Sequence, residues 1–177
     1  PNKCWFCSVW KRDGALRELP VAEGWIVNDD NILACSREHL GRVGLMLQGQ
    51  SKRPDFRGGL EAARLTDWHV DWLHALKPSC MWFAYDTPDD YEPLVQAGKM
   101  LLAAGFTTTS HALRCYVLCG WPADTIEAAE SRMGDAIFAG FTPMAMVYQD
   151  KDAGKADPQW HRWARQWIRP GIIHARK

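Results

Sequence analysis

Residues 80–85 have the sequence Cys-Met-Trp-Phe-Ala-Tyr, a continuous apolar run in the middle of a chain of 177 residues. An apolar run of this length, without polar residues at alternate positions, is typical of a strand that is buried on both faces. Polar and turn-forming residues follow at once, beginning with Asp86, Thr87 and Pro88. The stretch therefore predicts a central strand that ends at Tyr85.

Four further strand candidates lie on either side of this run, and each is followed by a helical pattern. The candidates are residues 25–27, 54–57, 111–119 and 142–148. Strand starts recur about every 30 residues, the length of one strand–helix unit. The helical patterns begin after four capping residues: Ser36, Thr66, Asp124 and Asp157. This alternation predicts an α/β protein with a parallel sheet, in one domain over residues 1–177.

The last helix is expected over about residues 158–169. Three tryptophans share one of its faces, which predicts that they dock the helix on the core: Trp160, Trp163 and Trp167. Five basic residues and no acidic residue follow Asp157. We expect this basic end to be solvated, and contact with RNA is the alternative.

The composition excludes several classes of protein. Hydrophobic residues make up 47% of the chain, which is too many for a disordered protein. The 21 basic and 21 acidic residues balance, so no overall charge draws the protein to nucleic acid or to a membrane surface. No apolar run reaches the roughly 20 residues that a membrane helix needs. Four of the six cysteines lie in or beside apolar runs, which predicts free thiols and a reducing cytoplasm: Cys35, Cys80, Cys115 and Cys119.

The chain opens with the residues Pro-Asn-Lys-Cys-Trp-Phe-Cys, in which Cys4 and Cys7 form a Cys-x-x-Cys pair. Two thiolates at this spacing can close a loop around one metal centre, and thiolates suit iron–sulfur clusters and zinc. The pair alone leaves three interpretations open. It fits half of a zinc site in a non-catalytic binding module, the redox pair of a thiol–disulfide oxidoreductase, or two small apolar residues.

Cys4, Phe6 and Cys7 resemble the end of the Cys-x-x-x-Cys-x-aromatic-Cys motif of the radical S-adenosylmethionine (radical SAM) superfamily. Residues 1–3 would be the three-residue spacer, so the first cysteine of the motif would directly precede the chain. The resemblance thus implies that the chain is truncated at its N-terminus. It also implies a partial barrel of six strand–helix units, about five of them present, with the cysteine loop (residues 1–12) after the missing first strand.

The resemblance also implies a defined chemistry. In the family, three thiolates hold a 4Fe–4S cluster, and one open iron binds the amino and carboxylate groups of SAM. An electron from a donor such as flavodoxin or ferredoxin cleaves SAM, and the radical that forms abstracts hydrogen from the substrate. Cys4 and Cys7 would be two of the metal ligands, and Phe6 would pack near the adenine. A chain with two of three thiolates is expected to fold but to be inactive, and its substrate is left open.

Residues that follow the strands are the expected contacts of SAM, because ligands of α/β folds gather at the carboxyl ends of the strands. The family holds the amino group of SAM with a Gly-Gly-Glu motif, which Gly58-Gly59-Leu60-Glu61 resembles with one residue inserted. The order of the strands instead favours Asn28-Asp29-Asp30, since some family members carry Asp-Asp at that position. Both stretches are kept as candidates. For the first, a simple double-glycine turn is the alternative.

Two further candidates lie on the fourth and fifth units of the implied barrel. Asp86 stands where the family contacts the ribose of SAM, and an Asp-Thr-Pro turn is the alternative role. Arg114 lies inside an apolar strand and therefore needs a partner or a cavity. The resemblance implies that it faces the SAM carboxylate or the substrate, whereas a structural ion pair is the alternative.

Overall fold

The computed structural model describes residues 3–149, 157–168 and 173, and in it five parallel strands form one sheet. Each strand pairs with the next along the chain, so the strands lie side by side in sequence order. The α/β class and the five parallel strands are thus confirmed. The strands are β1 (Ile26–Val27), β2 (Asp55–Leu60), β3 (Cys80–Tyr85), β4 (Leu113–Cys119) and β5 (Thr142–Val147).

Six α-helices lie in the part of the chain that the structure describes. Four of them connect successive strands: α2 (Arg37–Gln48), α3 (Asp67–Leu76), α4 (Tyr91–Ala103) and α5 (Ile126–Phe138). The other two are α1 (Val9–Asp13) and α6 (Pro158–Ala164). α1 lies mostly in the segment that was predicted to be a loop, residues 1–12. None of the described helices is long and apolar enough to cross a membrane.

Three of the four predicted helix caps are confirmed. The side chains of Ser36, Thr66 and Asp157 each accept a hydrogen bond from a backbone N–H in the first turn of their helix. The prediction for α5 was wrong by one residue, because Thr125 accepts the bond from the Ala128 N–H. Asp124 instead accepts the backbone N–H of Gly120 and pairs with an arginine. A buried cation thus draws Asp124 away from the cap.

The two faces of the sheet carry different side chains. On one face, strand residues such as Phe83 and Val117 are fully buried in the main core, together with Leu73 and Leu94 of the helices. Burying one such side chain contributes about 1.5–3 kcal/mol. On the other face Trp82 stacks on Tyr116, with ring centroids 4.1 Å apart. The helices therefore cover one face, and aromatic stacking organises the other.

The second strand is longer than the sequence indicates. β2 continues through Gly58 and Gly59 to Leu60, so the two glycines lie inside the strand and not in a turn after it. Its register against β3 shifts between Phe56 and Leu60, which marks a bulge. Gly59 has φ +98°, a conformation that glycine adopts without steric cost. A strand interior that contains two glycines resembles a turn in sequence, which explains the wrong boundary.

The C-terminal tryptophans dock α6 as predicted. Trp163 and Trp167 are buried in the main core, and Trp160 packs at Gly120, where a Cβ would lie 3.0 Å from its ring. The α-helix ends at Ala164 and a 3₁₀ turn continues to Trp167, so it is shorter than the expected 158–169. Most of the basic tail lies outside the described residues.

Candidate functional site

The carboxyl ends of the five strands meet at one edge of the sheet, because all of the strands are parallel. Polar side chains, a glycine and aromatic residues follow the strands at this edge. They are Asn28-Asp29-Asp30 after β1, Glu61 after β2, Asp86 after β3, Gly120 and Trp121 after β4, and Tyr148 after β5. We call this the carboxyl edge.

The two stretches that were candidates for binding the amino group of SAM, residues 28–30 and 58–61, lie in direct contact. A Cβ built on Gly58 would lie 1.7 Å from the backbone oxygen of Asp29, so only glycine leaves room for the loop after β1. The side chain of Asn31 donates a hydrogen bond to Glu61, 2.5 Å away. The alternatives that the sequence left open are therefore parts of one cluster of acceptor groups.

Asn31 is a member of this cluster that sequence reasoning missed. Its side chain is 8% exposed and its Oδ1 has no hydrogen-bond partner among the described residues. Its backbone N–H donates to Asp29 Oδ1 at 2.9 Å. Glu61, which also belongs to this cluster, forms an ion pair with Arg64. A buried amide oxygen without a donor beside two carboxylates is suited to a ligand that donates hydrogen bonds.

Asp86 is a partly buried carboxyl directly after the end of β3. No described residue donates a hydrogen bond to its side chain, while Asp90 accepts the backbone N–H groups of Asp86 and Thr87 and the Thr87 hydroxyl. Burial, and after it the charge of Asp90, raises the pKa of Asp86 to about 7. The predicted turn is therefore present, but the side chain of Asp90 accepts its hydrogen bonds. The side chain of Asp86 is not used in the turn.

The cysteine loop lies at the same edge. Trp5, between the two cysteines, contacts the rings of Trp121 and Tyr148, with centroids 6.3 and 5.6 Å away. The Cys7 backbone N–H donates to the Cys4 carbonyl at 3.2 Å, which closes a turn. The Val9 N–H donates to Cys7 Sγ at 3.4 Å. This turn holds both thiols, which are free and half-buried.

The carboxylates of the edge act on the thiol of Cys4. Burial is the largest cause that raises the pKa of Cys4, followed by the charges of Cys7, Asp86 and Asp90. The indole N–H of Trp10 donates to the Cys4 carbonyl at 3.1 Å and fixes the loop from the other side. The Cys4 thiol is thus disfavoured as a free nucleophile, because thiolates form where positive charge lowers the pKa.

A buried ion pair supports the ring on which Trp5 rests. Arg132 binds Asp124 at 2.7 Å and the Leu118 carbonyl at 3.1 Å, and its guanidinium lies 4.5 Å from the centre of the Trp121 ring. Both charged side chains are at most 10% exposed. The sequence pattern predicted that Asp124 caps a helix. The only sequence signal for its pairing with Arg132 is the spacing of eight residues between them.

Two predicted site residues have other surroundings. Phe6 packs edge-on against Trp5, at a centroid distance of 5.3 Å, and so belongs to the cysteine loop. Arg114 is the second residue of β4 and lies near the opposite end of the strand from Cys119. Its Nε donates to the His111 carbonyl and its guanidinium lies 5.1 Å from the Trp82 ring. Arg114 is in none of the salt bridges between described residues, so the structural ion pair expected as its alternative role is not seen there.

The described residues contain no group of three or more His, Cys, Asp or Glu side chains that would complete a metal site by themselves. No known protein family matches the chain, and neither does any curated protein or any solved structure. The functional interpretation therefore depends on the residues and contacts of the carboxyl edge.

Proposed function

We propose that this chain is the cofactor-binding part of a radical SAM enzyme, with its five-stranded sheet as part of a six-unit barrel. The observation that carries the proposal is the docking of the Cys4–Cys7 turn, through Trp5, at the edge that also holds Asp29, Glu61 and Asp86. A thiol pair at a carboxyl edge rich in acceptors is the arrangement that the motif requires.

The cysteine turn fits two ligands of an iron–sulfur cluster. The thiols are free, three positions apart and held by a backbone turn, and one of them accepts an N–H···S hydrogen bond. Hydrogen bonds to the sulfurs are one of the means by which proteins tune such clusters. The proposal assigns the third thiolate to a cysteine directly before Pro1.

The acceptor cluster fits the amino group of SAM. An ammonium carries three donors and no acceptor, and the cluster offers carboxylates of Asp29 and Glu61 with the unpartnered Oδ1 of Asn31. Asp86, with no described donor, fits a ribose hydroxyl. Gly58 is required because it lets the two halves of the cluster touch.

In this proposal the iron–sulfur cluster and SAM would supply a one-electron cleavage that generates a hydrogen-abstracting species. The protein binds and orients SAM and shields the site. Asp29, Asn31 and Glu61 bind the ammonium end, and Asp86 orients the ribose. Trp5 packs on Trp121 and holds the turn with both thiols at this edge. We propose a cytoplasmic enzyme that receives electrons from a flavodoxin or ferredoxin, with a substrate that these residues do not specify.

Product formation tests the proposal. A chain with one cysteine placed directly before Pro1 is reconstituted anaerobically with iron and sulfide, reduced and supplied with SAM. We expect 5′-deoxyadenosine, and none from the same chain with serine at the added position or with Cys7→Ser. If the cysteine-extended chain binds both a cluster and SAM and still forms no 5′-deoxyadenosine, the enzyme proposal is wrong.

The zinc-binding module is the second candidate, because a Cys-x-x-Cys turn with an N–H···S bond also suits zinc. It needs two more ligands, and the described residues do not group any with Cys4 and Cys7. The oxidoreductase is a poorer candidate, because its attacking cysteine needs a lowered pKa and that of Cys4 is raised.

A further inference from the structure

A second candidate site lies at the other end of the sheet from the cysteine loop. There a cavity of about 740 Å³ opens beside Pro54, which precedes β2, and between the segments that follow α2, α3 and α4. This volume is within the range of roughly 300–1,000 Å³ that is typical of small-ligand sites. None of the residues of the carboxyl edge lines it.

The wall of this cavity carries only positive charge. The charged side chains among the described residues that line it are Lys52, Arg53 and Lys77, and none of these lining residues is an aspartate or a glutamate. None of the three takes part in the salt bridges between described residues, and the Lys52 ammonium lies 3.9 Å from the centre of the Trp25 ring. Cations without a carboxylate partner around a concave surface focus a positive potential, which attracts anionic ligands.

Arg53 is oriented before any ligand binds. Its Nε donates to the Lys77 carbonyl at 2.7 Å and its Nη2 donates to the Pro78 carbonyl at 2.9 Å. These two bonds hold the guanidinium plane in place, and Nη1 makes no bond to a described residue. A fixed guanidinium with unused donors is well suited to a phosphate, because little side-chain entropy is lost on binding.

The same wall offers an aromatic pair and hydroxyl groups. The rings of His74 and Phe106 meet edge to face, with centroids 6.0 Å apart. Ser51 and Thr107 add hydroxyls to the lining, whereas the Ser110 hydroxyl already donates to the Thr107 carbonyl. A flat ring can pack on the aromatic pair while hydroxyls and cations bind phosphate oxygens, a combination that proteins use for nucleotides.

We propose that this cavity is a nucleotide-binding site that recognises a phosphate group with Arg53, Lys52 and Lys77 and a base with His74 and Phe106. The ligand is either a free nucleotide or one nucleotide unit of a single strand. The proposal does not depend on the cysteine loop or on SAM chemistry, since the two sets of residues are separate.

Titration calorimetry with ADP tests the site in the unmodified chain and in the double variant Lys52→Gln/Lys77→Gly. Lys77 has φ +50°, so glycine at this position removes charge and also relieves the backbone. Lys99→Gln is the matched control, because Lys99 is exposed on α4 and does not line the cavity. We expect ADP to bind the double variant at least about tenfold more weakly, and the control unchanged.

A ten-nucleotide single strand and inorganic phosphate are titrated in parallel. A strand that binds much more tightly than ADP, with the same loss in the double variant, identifies a nucleic acid as the source. Comparable binding of ADP and strand identifies a free nucleotide. If neither ADP nor the strand binds, or if both bind the double variant as they bind the unmodified chain, the proposal is wrong.

Discussion

The backbone of Asp29 lies directly against the α-carbon of Gly58, where a Cβ would be 1.7 Å from the Asp29 oxygen and 2.7 Å from its nitrogen. This contact joins the loop after β1 to the middle of β2. It also brings Asp29 and Glu61 into one cluster through Asn31. The proposed SAM site therefore depends on the absence of one side chain.

Gly58→Ala is expected to destabilise the fold by about 3 kcal/mol, because a methyl group cannot fit against a backbone carbonyl without moving the loop. Urea unfolding measures the loss. Gly134→Ala is the matched control, since a Cβ there meets nothing within 4 Å in the middle of α5 and should stabilise the helix by about 0.5–1 kcal/mol. Equal effects of the two substitutions would contradict the packing at Gly58.

The strand–helix order, the parallel sheet and three helix caps could be predicted because they follow from local patterns of apolar and capping residues. Asn31 could not be, since its role depends on a hydrogen bond to a residue 30 positions away. The position of Asp124 in the sequence fits a helix cap, whereas in the folded chain its side chain forms a buried ion pair with Arg132. Only the packed structure distinguishes these roles. Local rules identify which residues are polar at strand ends, whereas long-range contacts decide which act together.

The ion pair beneath Trp121 predicts a large cost for Asp124→Asn. The substitution keeps the side-chain shape but leaves the guanidinium of Arg132 buried without a counter-charge, which costs about 3–5 kcal/mol. Chemical denaturation of the variant measures this cost. In contrast, Glu38→Gln removes an exposed pair with Arg42 and should change stability by about 0.5 kcal/mol or less. A small effect at Asp124 would show that the pair is solvated.

Asp86 predicts a pH-dependent stability of the metal-free chain. Its folded pKa of about 7 is above the unfolded value of about 3.9, so the folded state holds an extra proton between these values. The stability that this group contributes is therefore lost as pH rises from about 4 to 7. Above pH 7 the folded chain keeps the free-energy cost of an ionised Asp86. Asp86→Asn lacks the penalty, so we expect it to be more stable than the unmodified chain at pH 8, by up to about 4 kcal/mol.

Unfolding free energies at pH 5, 6, 7 and 8 test this prediction. The difference between Asp86→Asn and the unmodified chain should grow with pH and level off above pH 7. A difference that is constant across this range would show that the pKa of Asp86 is not raised in the folded chain.

The six cysteines should separate into two classes towards iodoacetamide. Cys4 and Cys7 are half-buried and are expected to react in the native chain, Cys4 slowly because its pKa is raised. The four buried thiols should react only after unfolding in urea: Cys35, Cys80, Cys115 and Cys119. Peptide mass spectrometry counts the modified sites. Rapid native labelling of Cys115 or Cys119 would contradict the described core.

The metal content of the chain with one cysteine placed before Pro1 tests the central claim most directly. After anaerobic reconstitution we expect about four irons per chain with the visible absorption of a cluster, and far less iron when serine takes the added position. Cys4→Ser should cause the same loss. One zinc per chain without iron, or an iron content that does not depend on the added cysteine, would contradict the account.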